Sequence, residues 1–468
     1  MNPALLRAAC RRWNTALVTL LAALLLGACS SLPTIVPDMA RPHARVQIEG
    51  HAGPLTPEQS RAVLDKLQAG GKETSVLERH LAFEQAVVGT PLLAGNKVTL
   101  LVDGPRTYKA MLAAIAQARD HINMETYILE DDEAGRQFAD ALIEKQRAGV
   151  QVNLIHDGVG TLATPAAFFD RLKQNGIRVL EYNPVNPLRA KAGWDVNERD
   201  HRKLLVVDGR VAILGGINIS SVYSGGSFSG STKPRVANHL PWRDTDLQIE
   251  GPVVAEFQKL FMETWQRQKG DALPERRYFP ELTRQGAEVV RAIGSSPDEP
   301  YSLMYATLIS AITHAESEIL LTNAYFVPDP QLLEALTSAA RRGVDVKLLL
   351  PSKTDSWLVL QAGRASYTEL LKAGVKVYER HDALLHSKTA LIDGVWVTVG
   401  STNLDWRSFL HNQEINAVVL GPEFGQQMRA LFERDLQVSE PVTLERWRRR
   451  GVLPRVQETL SKMWEYWL

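Results

Sequence analysis

The chain has 468 residues, 45% hydrophobic and 23% charged, which is too long for one core and too ordinary for bulk disorder, collagen or a disulfide scaffold. Lys+Arg and Asp+Glu both number 53, so no global field draws it to nucleic acid, and no nucleic-acid partner is expected. Both cysteines, Cys10 and Cys29, precede residue 30, which removes zinc ribbons, thiol redox chemistry and cysteine nucleophiles from the body of the protein.

Residues 1–28 read as a signal peptide of the lipoprotein type. Arg7, Arg11 and Arg12 form a positive start, Ala16 to Leu26 an apolar run broken only by Thr19, and Gly27-Ala28 precede Cys29. That run is shorter than the ~20 apolar residues of a membrane-spanning helix. Leu26-Gly-Ala-Cys29 resembles the lipobox of bacterial lipoproteins, which implies cleavage before Cys29 and lipidation of its thiol. Ser30 resembles the outer-membrane sorting rule, so a lipid-anchored envelope protein facing the periplasm is expected; an uncleaved inner-membrane anchor is the alternative. Five prolines from Pro33 to Pro57 suggest an extended tether, and residues 29–84 are assigned to a tether with short helices.

From residue 85 the chain is written twice. Ile122-Asn-Met-Glu-Thr-Tyr127 is answered by Ile319-Leu-Leu-Thr-Asn-Ala-Tyr325, Arg147-Ala-Gly149-Val-Gln-Val by Arg341-Arg-Gly343-Val-Asp-Val, and Gly176-Ile-Arg-Val179 by Gly374-Val-Lys-Val377. Amphipathic helices end at glycine and apolar strands begin there. Such alternation predicts an α/β fold of two tandem domains, each a mixed, mostly parallel sheet with helices on both faces, packed as pseudo-symmetric halves. Gly251-Pro252 and Gly421-Pro422 close the copies. The expected boundaries are 85–270 for the first domain, 271–289 for a linker, 290–440 for the second domain and 441–468 for a basic and aromatic tail.

The strongest repeat sets His201-Arg-Lys203-Leu-Leu-Val-Val-Asp208 against His386-Ser-Lys388-Thr-Ala-Leu-Ile-Asp393, 185 residues apart. Residues two apart on a strand share a face, so each histidine is presented with its lysine. Asp208-Gly209 and Asp393-Gly394 read as hairpin turns. A strand leads from each to Gly215-Gly216-Ile-Asn218 and to Gly400-Ser401-Thr-Asn403, where small residues let backbone amides approach a ligand and the asparagines add donors. Paired His, Lys and Asn without cysteine describe a cavity for a phosphate diester. The lysines neutralise the anion, the amides hold its non-bridging oxygens, and the histidines work on either side of phosphorus. Neither a metal nor a cofactor is expected there.

The pattern H-x-K-x4-D followed by Gly-Gly/Ser-x-Asn, present twice, resembles the phospholipase D superfamily over nearly all of residues 85–440. Glu125-Thr-Tyr127-Ile-Leu-x-Asp-Asp132, Arg199-Asp-His-Arg-Lys203, Gly215-Gly-Ile-Asn218 and Asn403-Leu-Asp-x-Arg407-Ser408 are most similar to bacterial cardiolipin synthases. The resemblance implies that one histidine attacks phosphorus to give a phosphohistidine, while the other protonates the departing alcohol and deprotonates the incoming one. It names His201, Lys203, Asp208, His386, Lys388 and Asp393 as catalytic and Asn218, Ser401 and Asn403 as phosphate-binding. Gly216 stands where the second half has Ser401, which makes the halves unequal. The family also places a carboxylate downstream of each histidine to orient its ring. Glu414 lies 28 residues after His386, and Asp244, 43 after His201, aligns with it when counted back from Gly-Pro. Each carboxylate is assigned to the histidine of its own half.

The implied activity is a phosphatidyltransferase of the cardiolipin synthase type, with phosphatidylglycerol as phospholipid substrate, a second one as acceptor, and His201 as nucleophile. Hydrolysis by water, a nuclease and a non-catalytic envelope scaffold compete. The zero net charge opposes a nuclease, and two intact His-Lys pairs oppose a scaffold. The insertion Ser220 to Pro241 reads as a loop over the first half's site, and Tyr127 and Tyr325 as core residues beside the site. The tail, with Arg446-Trp-Arg-Arg-Arg450, Trp464, Tyr466 and Trp467, suits either contact with the membrane surface or a helix docked on the body.

Overall fold

The computed structural model describes residues 32–37, 46–68, 76–189, 194–227 and 240–464. The expected signal peptide and Cys29 lie outside the described residues, as do Phe228, Tyr466 and Trp467.

In the first half, β1 (Ile48–Gly50) and β2 (Gly53–Pro54) make a hairpin, and β1 runs parallel to the start of β3 (Leu92–Val102). β4 (His121–Thr126), β5 (Gln151–Asp157) and β6 (Arg178–Tyr182) lie parallel, each reached through a helix. The two-residue β7 (Arg199–Asp200) precedes a hairpin of β8 (Leu204–Val207) and β9 (Val211–Gly215), and the two-residue β10 (Trp242–Arg243) precedes β11 (Thr245–Glu250). The sheet order is β6-β5-β4-β8-β9-β11-β3. The second half repeats it with β12 (Glu288–Ser295), β13 (Glu318–Thr322), β14 (Asp345–Pro351), β15 (Lys376–Arg380), the short β16 (Leu384–Leu385), a hairpin of β17 (Thr389–Ile392) and β18 (Trp396–Gly400), and β19 (Asn412–Leu420). Its order is β15-β14-β13-β17-β18-β19-β12, with β20 (Ser439–Val442) added outside β15.

Local chemistry sets these elements. The repeated glycines that end helices, Gly149, Gly176, Gly343 and Gly374, have φ of 91°, 87°, 97° and 96°, a left-handed turn that a side chain resists. Asp132, Ser302 and Asp329 cap the helices that follow them, each accepting a backbone N–H. β4, β5 and β13 are buried at every position, as parallel strands covered on both faces must be.

The halves join through the antiparallel pair β3–β12, and one apolar cluster crosses that junction with Leu204, Leu247, Val290, Val397 and Ile415 among its members. Ahead of residue 85 the expected short helices are present, but the described residues from 46 onward are packed structure rather than an extended tether. Residues 48–54 pair as strands, Pro57–Gln68 is a helix, and Val76, Leu77, Leu81 and Phe83 are buried, because these apolar residues cover the helix Leu303–His314. β8 and β17 run antiparallel to β4 and β13. The residues just ahead of them therefore stand beyond the carboxyl ends of the parallel strands, where open α/β sheets bind ligands.

Candidate active site

Two short ladders cross between the halves. β7 pairs in parallel with the start of β19, Asp200 opposite Gln413, and the His201 N–H donates to Gln413 O at 3.0 Å. β10 pairs with β16, Arg243 opposite Leu385, and the His386 N–H donates to Arg243 O at 2.8 Å. Each histidine is thereby threaded beside the residue that precedes the other half's carboxylate. His201 Nδ1 lies 3.0 and 3.1 Å from the two Glu414 oxygens, and His386 Nδ1 lies 2.7 Å from Asp244 Oδ2. The own-half assignment is therefore corrected: the partners are exchanged. Within a half, β9 separates β8 from β11, so own-half partners start two strands apart, roughly 10 Å, while the crossing ladders place exchanged partners side by side.

The two carboxylates are seated differently. Glu414 accepts the Ser401 hydroxyl at 2.5 Å, and Ser401 Oγ accepts the Ile415 N–H at 3.0 Å. Asp244 accepts the Thr245 N–H at 2.8 Å, and any Cβ on Gly216 would collide with its carboxylate. The shorter aspartate fills the space that Ser401 fills in the other half, so the Gly/Ser difference and the Asp/Glu difference are one feature.

Lys203 and Lys388 each donate to the carbonyl of their own histidine at 2.5 Å, and Lys388 Nζ is also 2.9 Å from the His386 ring nitrogens. Tyr127 sets its ring edge against His201 at 5.1 Å, with Lys203 Nζ 5.2 Å from the same ring, and Tyr325 lies 6.4 Å from His386. Trp242 and Tyr223, at the two ends of the insertion, lie 5.1 and 6.0 Å from His386. The described ends of the insertion therefore stand by the second half's histidine rather than the first's, because β10 carries Trp242 across the junction; residues 228–239 lie outside the described residues. Sequence places Tyr223 only in a loop over the first half's site and does not single out Trp242. Arg202 was also missed: its guanidinium donates to Glu414 O, Leu260 O, Thr264 Oγ1 and Ser295 O. An arginine between two site residues, where alternation demands a core side chain, was the available signal.

Burial pushes His201 down to about 4, with Glu414 opposing and Lys203 adding to the shift; it also lowers His386, with Lys388 adding. Burial lowers Lys203 to about 7 and Lys388 to about 8 against the pull of Glu414 and Asp244 respectively. For Glu414 and Asp244 burial acts upward, but the facing histidines and lysines overcome it and hold both carboxyls below their ordinary range. Lys388 acts on His201 and Lys203 on His386, so the two motifs form a single electrostatic site. With Nδ1 donating to a carboxylate, each imidazole directs Nε2 chemistry at the substrate.

Asp208 and Asp393, assigned as catalytic, stand at the far ends of β8 and β17. Asp208 accepts the backbone N–H groups of Arg119, Asp120 and His121; Asp393 accepts those of Glu316, Ser317 and Glu318. Both have positive φ, 52° and 51°, as the hairpin turn requires. They fasten the turns that open β4 and β13, roughly 13 Å of strand away from the lysines. Asn218 is committed to the framework, accepting from the Ile128 N–H at 3.0 Å and donating to Tyr223 at 3.2 Å. Asn403 keeps a buried Oδ1 with no hydrogen-bond partner.

A family described as "Cardiolipin synthase, PLD-like domain" matches residues 111–224 and 308–436, one copy on each half and together just over half of the chain. The cardiolipin synthase of Alkalihalophilus pseudofirmus is 33% identical over 376 residues, covering 80% of this chain and 72% of that protein. Cardiolipin synthase A of Pseudomonas syringae pv. syringae is 34% identical over 359 residues, covering 76% and 71%. Among solved structures, phosphatidylserine synthase from Haemophilus influenzae superposes with a TM-score of 0.57 at 14% identity over 81% of this chain and 96% of that one, a likeness of fold. With the repeated motif at one site and relatives of this identity over most of its length, the chain belongs to the cardiolipin synthase family of PLD-like proteins.

Proposed function

We propose that the protein transfers a phosphatidyl group from phosphatidylglycerol to an alcohol, with a second phosphatidylglycerol as acceptor. The observation that carries this reading is the crossed pair of His–carboxylate couples, His201–Glu414 and His386–Asp244, set with two lysines around one site. Nε2 of His201 attacks phosphorus, the bond from phosphorus to the glycerol oxygen breaks, and His386 gives that oxygen its proton. A hydroxyl of the acceptor then loses its proton to His386 and attacks the phosphohistidine, which releases cardiolipin and restores His201. His201 is chosen as nucleophile because Glu414 holds it with both oxygens and is itself fixed by Ser401. The diester's negative charge favours the protonated form of His386, offsetting its burial. Lys203, Lys388 and the Asn403 side-chain N–H hold the non-bridging oxygens. Incubation of the purified full chain with phosphatidylglycerol vesicles, followed by mass spectrometry, will yield cardiolipin and glycerol; phosphatidic acid alone would replace transfer by hydrolysis.

Attachment to the envelope through lipid on Cys29 belongs to the same proposal and is supported by Leu26-Gly-Ala-Cys29. Among the described residues no helix is long and apolar enough to cross a membrane. A labelled fatty acid will enter the wild-type chain and not Cys29→Ala; equal labelling of both would remove the anchor.

A further inference from the structure

The helix Val452–Lys462 is built inside out. Its buried side chains are the polar Glu458 and Ser461, Glu458 being paired with Arg450. Val452, Leu453, Val456, Leu460, Met463 and Trp464 are exposed by 47% to 77%. At ~100° per residue these six fall within about 120° of the helix circumference. A helix that merely covered the body would turn that stripe inward; here the polar face docks and the apolar face is presented. The docking is firm upstream, where Trp447 is buried against Tyr367 at 4.9 Å and its indole N–H donates to Thr368 at 3.2 Å. The flank of the stripe is basic. Arg448, Arg449, Arg455 and Lys462 are all exposed, and the acids between Leu444 and Trp464 are Glu445 and Glu458 only.

The stripe is also close to the site. The helix packs along Trp357–Arg364, whose Trp357 is 53% exposed. Two residues before it, the Asp355 carboxylate accepts the hydroxyl of Tyr325, the ring that stands edge-on to His386. Leu162 and Leu188, 68% and 93% exposed, sit on loops after β5 and β6, at the carboxyl ends of strands that face the same site.

We propose that this helix lies in the surface of an anionic phospholipid bilayer, its apolar stripe among the acyl chains, and holds the mouth of the active site against the lipid. Charge decides the occupant. Exposed apolar area of this kind marks an interaction surface, and a basic flank beside it fits anionic headgroups, whereas a second copy of the same helix would bring like charges together. The purpose assigned to the surface rests on the phosphatidyl-transfer reading, but its occupancy does not require turnover.

Hydrogen–deuterium exchange on the full chain, with and without vesicles of equimolar phosphatidylglycerol and phosphatidylcholine, tests it. Peptides covering 452–464 will gain protection with these vesicles, and less with phosphatidylcholine alone. Val456→Asp with Leu460→Asp, both at exposed positions, will abolish that local protection. The double variant will lower turnover of vesicle phosphatidylglycerol by about tenfold or more, while turnover of a short-chain phosphatidylglycerol dispersed as monomers is unchanged. Absence of protection in 452–464, protection in the double variant equal to wild type, or protection that appears without vesicles and grows with protein concentration would overturn the proposal, the last in favour of self-association. Protection with no turnover of either substrate would instead overturn the transfer reading and leave the membrane surface standing.

Discussion

Glu414 and Asp244 perform the same task for different steps, and the difference can be measured. If Glu414 orients the nucleophile, Glu414→Gln will slow phosphohistidine formation by about 10²–10⁴-fold whatever the leaving group, since an amide favours the wrong tautomer. Asp244→Asn weakens the acid, and a p-nitrophenyl diester needs no acid because its leaving group departs unprotonated. That variant will therefore lose natural-substrate activity and, with the activated diester, regain the first step, read as a burst of p-nitrophenol; a restored burst in both variants, or in neither, would break the division of labour. The lysines give a second residue-level expectation. Lys203 is pushed down to about 7 and Lys388 to about 8, so each loses its charge as pH rises through that range. His201, held down to about 4, stays unprotonated and nucleophilic across the same range. Affinity for a non-reactive phosphate diester will therefore show an alkaline limb near pH 7–8, and Lys203→Arg will move it upward, because guanidinium does not titrate there. An unmoved limb would mean that Lys203 is not the titrating group.

At the scale of elements, the ends of β9 and β18 explain why the repeat is imperfect. Gly216→Ser will push Asp244 off His386 and lower turnover by about 10²-fold or more, with the melting temperature near that of wild type; Ser401→Gly, which removes one hydrogen bond to Glu414, will cost far less. Equal effects would show that the two ends are interchangeable. The sequence made much of this visible. The paired motifs, the glycine-ended helices and the apolar strands follow from local chemistry and reappear as the same strand order in both halves of one sheet. The exchange of carboxylates was hidden because β7, β10 and β16 are two residues long, too short to carry any period. Asp208 and Asp393 mislead for another reason: a residue fixed in a motif is equally well explained by a turn that demands it, and only the direction of the carboxylate separates the two. Trp242 and Tyr223 carried no repeated signal, since the second half has no insertion at that place.

For the molecule as a whole, a shared core and a shared site make the halves one unit. His201→Ala and His386→Ala will each lower the rate severely, and the double variant will be scarcely worse than either, because residues that act together are not additive. Losses that multiply would mean two sites. The crossed couples also impose an order in time. Glu414 follows His201 by 213 residues, which at ~5–20 residues per second is roughly 10–40 s of synthesis. Throughout that interval the first half can fold, but its histidine has no acceptor for Nδ1. The nascent chain acquires its chemistry only once the start of β19, which carries Glu414, has been made and has paired with β7.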